Sequence, residues 1–252
     1  MRLLIDIGNS CLKWCLYQHG ENHSAGSIDY RLGFEPARWC EGLQLQPESV
    51  YLISVASPEI TNAVIQACDN HWKIKTTTLQ TQRYCAGVSN GYNEPLRLGV
   101  DRWAAVVAAY QMIKAAVLVV DSGTACTADL IDQNGLHLGG EIMVGRRLLQ
   151  QSLSSGTSAI ELPFSGNSLQ EWGITTTACV EAGAISALCG FVERLQRRAR
   201  SHLHCDVAVV LTGGDAPALL PHLESMVRYE SDLVFRGMML MAAEKNLGGE
   251  GR

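Results

Sequence analysis

The chain states one short pattern twice. Residues 3–10 read LLIDIGNS and residues 117–124 read VLVVDSGT. In each, an apolar run closes on Asp-x-Gly and a small polar residue. A short apolar run bounded by a turn signal reads as a buried strand, so each copy predicts a strand ending in a carboxylate, Asp6 or Asp121. Gly8 and Gly123 let the backbone turn sharply, and Asn9, Ser10, Thr124 and Thr127 supply amide and hydroxyl groups just beyond. Such a turn offers N–H and O–H donors to phosphate oxygens while its Asp holds a cation or the cation's water. One Asp-x-Gly turn is ordinary in hairpins. Two of them, 115 positions apart in 252 residues, imply a duplicated fold with a nucleotide clamped between its halves.

Composition narrows the class. The chain is 47% hydrophobic and 18% charged, enough apolar material for a large core. A net charge of −5 argues against nucleic acid as a partner, which would need a basic face. The basic cluster Arg194, Arg197, Arg198 and Arg200 ends a helical pattern, where cations suit the helix dipole. Nine cysteines, an odd number, lie scattered among apolar neighbours without Cys-x-x-Cys or zinc spacing; they read as reduced small hydrophobes. The first apolar run is too short for a signal sequence and carries Asp6, and no stretch reaches the roughly 18–20 apolar residues of a membrane span. The expectation is a cytoplasmic protein with no membrane partner.

Along the chain, 2–17 reads as a strand hairpin, 50–56 as a buried strand, 59–71 as a helix, 76–80 as a strand, 84–100 as an ordered loop and 101–112 as a helix. The scheme then restarts with a strand at 116–120, the Asp121 turn, a strand TADLIDQ and the hairpin pair Asn134-Gly135. A helix begins near Arg146, and residues 152–170, rich in Ser and Gly, read as a mobile surface segment. A helix over 177–200, a strand entering Gly213-Gly214 and a closing helix complete the chain. Strands alternating with helices predict an α/β fold in each half, divided at 115/116.

Three motifs carry chemistry. Asp6-Ile-Gly8-Asn9-Ser10-Cys-Leu-Lys13 offers a phosphate loop with a lysine on the following strand. Asp121-Ser-Gly123-Thr124-Ala-Cys-Thr127 offers a second loop whose hydroxyls can donate to phosphate and whose Asp can hold a cation. Thr212-Gly213-Gly214-Asp215 follows an apolar strand, and bare backbone there lets a nucleobase or ribose lie flat. Asp101 opens the 101–112 helix beside Gly99, with Arg102 adjacent. A carboxylate of ordinary pKa near 4 is ionised at neutral pH, as a general base must be, although an Asp there also suits a helix cap. Arg102 could fork onto a substrate carboxylate.

Taken in order, these motifs resemble the acetate kinase, sugar kinase, Hsp70 and actin superfamily. The stretch Gly91-Tyr92-Asn-Glu-Pro95-Leu-Arg-Leu-Gly99-Val100-Asp101-Arg102-Trp103 further resembles the signature of type III pantothenate kinases. Gly139-Gly140…Gly145, Thr176-x-x-Cys179…Gly183 and Leu233–Gly237 match further blocks of that family, so the likeness runs from residue 3 to about 240. Val144 stands where the family has Pro, and Thr175 where Asn is frequent. The resemblance implies two ribonuclease-H-like (actin-like ATPase) domains, 1–115 and 116–252, with mixed five-stranded sheets flanked by helices. It implies ATP-dependent phosphorylation of pantothenate, the first step of coenzyme A biosynthesis, with Asp101 as base. ATP would be bound by Asp6, Gly8, Asn9, Ser10, Lys13, Gly123, Thr124, Gly213 and Gly214. Pantothenate would be bound by Tyr92, Gly99, Val100, Asp101, Arg102 and Thr176, with Thr175 and Thr177 as neighbours of similar chemistry. A monovalent cation (K⁺ or NH₄⁺) would sit at Asp121, Mg²⁺ would travel with ATP, and the site would be completed in a homodimer. The alternatives are a non-catalytic regulatory protein of the same fold, against which an intact Asp101 argues, and a longer acetate- or sugar-type kinase, which would lack the Gly-x-Asp-Arg block.

Overall fold

The first strand shows why the apolar run at the N-terminus has no alternation. In the computed structural model, which describes residues 1–18, 21–156 and 172–248, β1 (Arg2–Ile7) is the middle strand of a five-stranded sheet, and Leu3 to Ile7 are all buried. It pairs antiparallel with β2 (Cys11–Gln18), which pairs in turn with β3 (Glu21–Asp29). On its other side β1 runs parallel to β4 (Ser49–Ser54). A parallel neighbour demands a crossover, and α1 (Pro36–Gly42) lies in that connection. A second crossover, α2 (Pro58–Trp72), leads to the short β5 (Thr77–Thr78), giving the order β3-β2-β1-β4-β5. Leu3, Ile5 and Ile7 pack with Trp39 and Cys40 of α1 and Val64, Cys68 and Trp72 of α2.

Between β5 and the next helix the chain makes a small hairpin of β6 (Tyr84–Cys85) and β7 (Val88–Ser89), where the sequence predicts only loop. Its two turn residues, Ala86 (φ 46°) and Gly87 (φ 80°), are left-handed, as a tight hairpin requires. Helix α3 (Val100–Ile113) follows and is buried without a break from Arg102 to Ala109.

The second sheet repeats the plan. β8 (Val117–Ser122) is central, antiparallel to β9 (Ala125–Ile131), which pairs with β10 (His137–Val144). Helix α4 (Arg146–Gly156) comes next, so the first residues of the segment read as mobile are helical, and 157–170 lie outside the described residues. The 28-residue α5 (Thr176–Leu203) places Ile185, Leu188, Cys189, Val192, Leu195 and Ala199 in one core with Leu118, Val120, Ala128 and Leu211. β11 (Ala208–Thr212) then runs parallel to β8, and after the short α6 (Ala216–Leu219) β12 (Val227–Tyr229) closes the order β10-β9-β8-β11-β12. The two sheets therefore share one topology, as the repeated Asp-x-Gly pattern implies.

The closing helix, α7 (Leu233–Gly248), does not stay with the second sheet. One compact unit comprises residues 1–108 and 233–252, and the other residues 109–232. The division thus falls inside α3 rather than at 115/116, and the last segment returns to the first unit. The local reason is readable. A Cβ on Gly237 would lie 1.9 Å from the Ala104 carbonyl oxygen of α3, so the two backbones meet there with no room for a side chain. Leu233, Met238, Met241 and Ala242 are buried around that contact. Glu244 accepts the Ala86 N–H at 2.5 Å, and Lys245 Nζ donates to the Thr78 carbonyl at 3.0 Å. Among the described residues no helix is long and apolar enough to cross a membrane.

Candidate active site

In the first unit the β1–β2 turn carries Asp6, Gly8, Asn9 and Ser10. Asp6 is buried, and it sits opposite Lys13 in the antiparallel register, which puts both side chains on one sheet face. The turn is closed by the Gly8 N–H donating to the Cys11 carbonyl at 3.0 Å and held from outside by the Tyr30 hydroxyl donating to the Gly8 carbonyl at 2.6 Å. Burial and the neighbouring Cys11 push the Tyr30 pKa up, so the donor keeps its proton. Gly8 is not left-handed, and a Cβ there would reach nothing nearer than 3.4 Å. The sharp bend therefore does not demand glycine. What glycine leaves at this point is room beside the turn.

The second cluster of this unit is the start of α3. Asp101 stands in its first turn and accepts the Arg102 N–H through Oδ1 at 2.8 Å. The same oxygen folds back over Gly99, where a Cβ would come within 2.7 Å of it. Arg102 is buried along most of its length, donates to the Tyr92 hydroxyl at 2.9 Å, and stacks over the Tyr92 ring at 5.8 Å. Val100 is buried. The loop that brings Tyr92 here is pinned by Asn90, whose side-chain NH₂ donates to the Gln82 and Pro95 carbonyls while its oxygen accepts the Tyr92 N–H. Thr81 adds a bond to the Leu98 carbonyl at 2.8 Å. Sequence reasoning missed Asn90 and Thr81; the density of Gly, Asn and Pro over 84–100 was the available signal, since Asn side chains bind nearby backbone in such loops.

In the second unit the β8–β9 turn holds Asp121, Ser122, Gly123 and Thr124. The Gly123 N–H donates to the Ala125 carbonyl at 2.9 Å, echoing the first turn. Gly213, after β11, is pressed onto it. Its φ is +99°, and a Cβ would lie 2.3 Å from the Ser122 carbonyl oxygen and 2.4 Å from Asp121 Oδ1. Gly214 beside it has open space. The Asp215 N–H donates to the Ser122 carbonyl at 2.9 Å, and from the far side the Gly145 N–H donates to the Thr124 carbonyl at 3.1 Å. Below the turn, burial and the charges of Asp121 and Asp215 push the Cys126 thiol up to about 12. The donors here are carboxylate, hydroxyl and carbonyl oxygens, the set that suits hard cations such as K⁺ and Mg²⁺. No group of three or more His, Cys, Asp or Glu side chains gathers among the described residues. A cation at Asp121 would accordingly share its coordination with hydroxyls, carbonyls and substrate oxygens.

Thr176 stands exposed in the first turn of α5, and Thr175 is the N-cap, accepting the Ala178 N–H at 3.2 Å. Thr175 caps the helix, and Thr176 is the first residue beyond the cap. All nine cysteines are free thiols, and six of them are buried.

Two units of one topology, each closing its central strand on an acidic turn, define the actin-like ATPase and sugar kinase fold. Solved structures agree. A protein of Campylobacter jejuni described as a Baf family transcriptional activator has a TM-score of 0.63 at 23% identity, with 97% of this chain and 99% of that one covered. The activator of 2-hydroxyisocaproyl-CoA dehydratase from Clostridium difficile, with bound ADPNP, has a TM-score of 0.57 at 14% identity, covering 100% and 98%. The sequence is more specific than the fold. Residues 2–198 match the family described as type III pantothenate kinase, and the type III pantothenate kinase of Nitrosococcus oceani is 31% identical over 253 residues, covering 97% of this chain and 94% of the relative. The chain belongs to the type III pantothenate kinase family.

Proposed function

We propose that this chain transfers the γ-phosphoryl group of ATP to the terminal hydroxyl of pantothenate with Asp101 as the general base. The hydroxyl oxygen forms a bond to phosphorus, the bond from phosphorus to the ADP oxygen breaks, and the hydroxyl proton passes to the Asp101 carboxylate. Phosphoryl transfer asks a protein mainly for positioning and charge stabilisation. The observation that carries the assignment is the packing of Asp101 Oδ1 over Gly99, which adds no side chain of its own there, beside an Arg102 that donates to Tyr92. Tyr92, Gly99, Val100, Arg102 and Thr176 bind pantothenate, with the Arg102 guanidinium facing its carboxylate. Asp6, Gly8, Asn9, Ser10, Lys13, Gly123, Thr124, Gly213 and Gly214 bind ATP.

Asp121 holds a monovalent cation, K⁺ or NH₄⁺, whose chemistry when bound is to offset phosphate charge. Mg²⁺ arrives with ATP. The working form is a cytoplasmic homodimer. Replacing Asp101 by Asn tests the assignment. Calorimetric titration is expected to find nucleotide affinity kept within about threefold, while turnover falls by ~10²-fold or more, the usual cost of losing a general base. An unchanged rate would reduce Asp101 to a helix-start residue that merely accepts the Arg102 N–H.

A further inference from the structure

The second unit contains an ion pair to which the phosphoryl transfer above gives no part. Arg146 opens α4, and its Nε and Nη2 lie 3.3 and 3.2 Å from Asp215 Oδ1. Both side chains are largely covered, at 30% and 19% exposure. Each end of the pair is tied by backbone to the same turn. On the Arg146 side, the Gly145 N–H binds the Thr124 carbonyl, and a Cβ on Gly145 would lie 2.0 Å from the Gly123 carbonyl oxygen. On the Asp215 side, its own N–H binds the Ser122 carbonyl, and Gly213 touches Ser122 and Asp121. The ring of contacts Thr124–Gly145–Arg146–Asp215–Ser122 therefore clamps the Asp121 turn between two loops, and the ion pair is its side-chain closure.

Charge gives the pair a second consequence. Asp121 and Asp215 both act on the Cys126 thiol, so two carboxylates stand in one neighbourhood. A triphosphate held there would meet both. Arg146 cancels the one that the turn does not use.

We infer that Arg146 and Asp215 are positioning residues for ATP. They hold the Gly213-Gly214 loop at a fixed setting on the Ser122–Thr124 turn and mask the Asp215 charge from the phosphates. The inference rests on the reading that these loops bind ATP. Its chemistry predicts an asymmetric double-mutant cycle, because removing the cation leaves an uncompensated carboxylate that repels the phosphates, whereas removing the anion leaves an uncompensated guanidinium that does not repel them.

The test is steady-state kinetics of Arg146→Ala, Asp215→Ala, the double variant and Arg146→Lys, with KM measured for each substrate. Arg146→Ala raises KM for ATP about thirtyfold and Asp215→Ala about fivefold. The double variant lies nearer the Asp215→Ala value, and Arg146→Lys recovers part of the loss. KM for pantothenate stays within about twofold, and the loss is carried by KM for ATP rather than by kcat. A role confined to fold stability would lower the active fraction, and so apparent kcat, and leave both KM values where they are. A double variant worse than both singles, an Asp215→Ala variant that binds ATP more tightly than wild type, or an unmoved KM for ATP would each overturn the inference. Where the alanine variants lose cooperative unfolding, Arg146→Gln and Asp215→Asn replace them, with the same ordering expected of nucleotide Kd. Wild-type turnover of pantothenate is the internal control. Its absence would sink the proposed function, while calorimetric ATP affinity would still judge the pair.

Discussion

Gly99 and Gly213 each lie against an aspartate, but the atoms they would strike differ in kind. A Cβ on Gly99 would clash with Asp101 Oδ1, the end of a rotatable side chain, and touch its other neighbours only at 3.9 Å. Gly99→Ala is therefore expected to leave unfolding free energy within about 1 kcal/mol of wild type while displacing the base and lowering kcat by roughly ten- to a hundredfold, since small misplacements of a reacting group cost that much. A Cβ on Gly213 would meet the Ser122 backbone carbonyl, and its φ of +99° is closed to other residues. Gly213→Ala should cost about 2 kcal/mol or more of stability, read from denaturant midpoints. If Gly99→Ala kept full kcat, the folded-back setting of Asp101 would have no part in catalysis. Gly8 and Gly123 differ again, with nothing nearer than 3.4 and 3.9 Å. The sequence reads Gly8 and Gly123 as turn glycines and Gly213 as bare backbone for the nucleoside; only the neighbours show which of them is held by contact. For the same reason Arg146 carried no signal, because its partner Asp215 is 69 residues away.

At the scale of elements, the strands that are buried on both faces were the legible ones. β1, β4, β8 and β11 read as apolar runs because they lie inside their sheets. β3 is not legible, since ENHSAGSID is an edge strand with mainly exposed polar residues and no alternation to detect. α1 escaped because seven residues opening on Pro give too few turns for a period to emerge. The family block Leu233–Gly237 was legible as a motif but not as a contact. Its Gly237 lets α7 lie directly on α3, the helix that carries Asp101 in its first turn. Gly237→Ala must push the helices apart and is expected to lose about 2 kcal/mol or more, as overpacking against backbone does. Thermal unfolding compared with wild type checks this, and an unchanged Tm would mean that the helices separate without cost.

For the whole molecule, the duplication legible in two eight-residue strings holds in full strand order, whereas the placement of the last helix depends on packing that no local pattern encodes. Both units also bury thiols. Burial pushes Cys85 and Cys126 up to about 12 and Cys189 up to about 11. An unfolded thiol ionises near 8.5, so folding favours the protonated form. That contribution is complete below about pH 8.5 and is lost as pH rises from there towards the folded values. Chemical denaturation should show stability level from pH 7 to about 8.5 and falling above it, with a shallower fall in Cys126→Ala; identical slopes would remove Cys126 from the effect. The fate of the γ-phosphoryl group judges the account as a whole most directly. With γ-labelled ATP, Mg²⁺, K⁺ and pantothenate, the label is expected in 4′-phosphopantothenate at one equivalent per ADP, and more slowly when Na⁺ replaces K⁺. Label that stays in ATP, or passes to a sugar or to water while pantothenate remains unmodified, would contradict it.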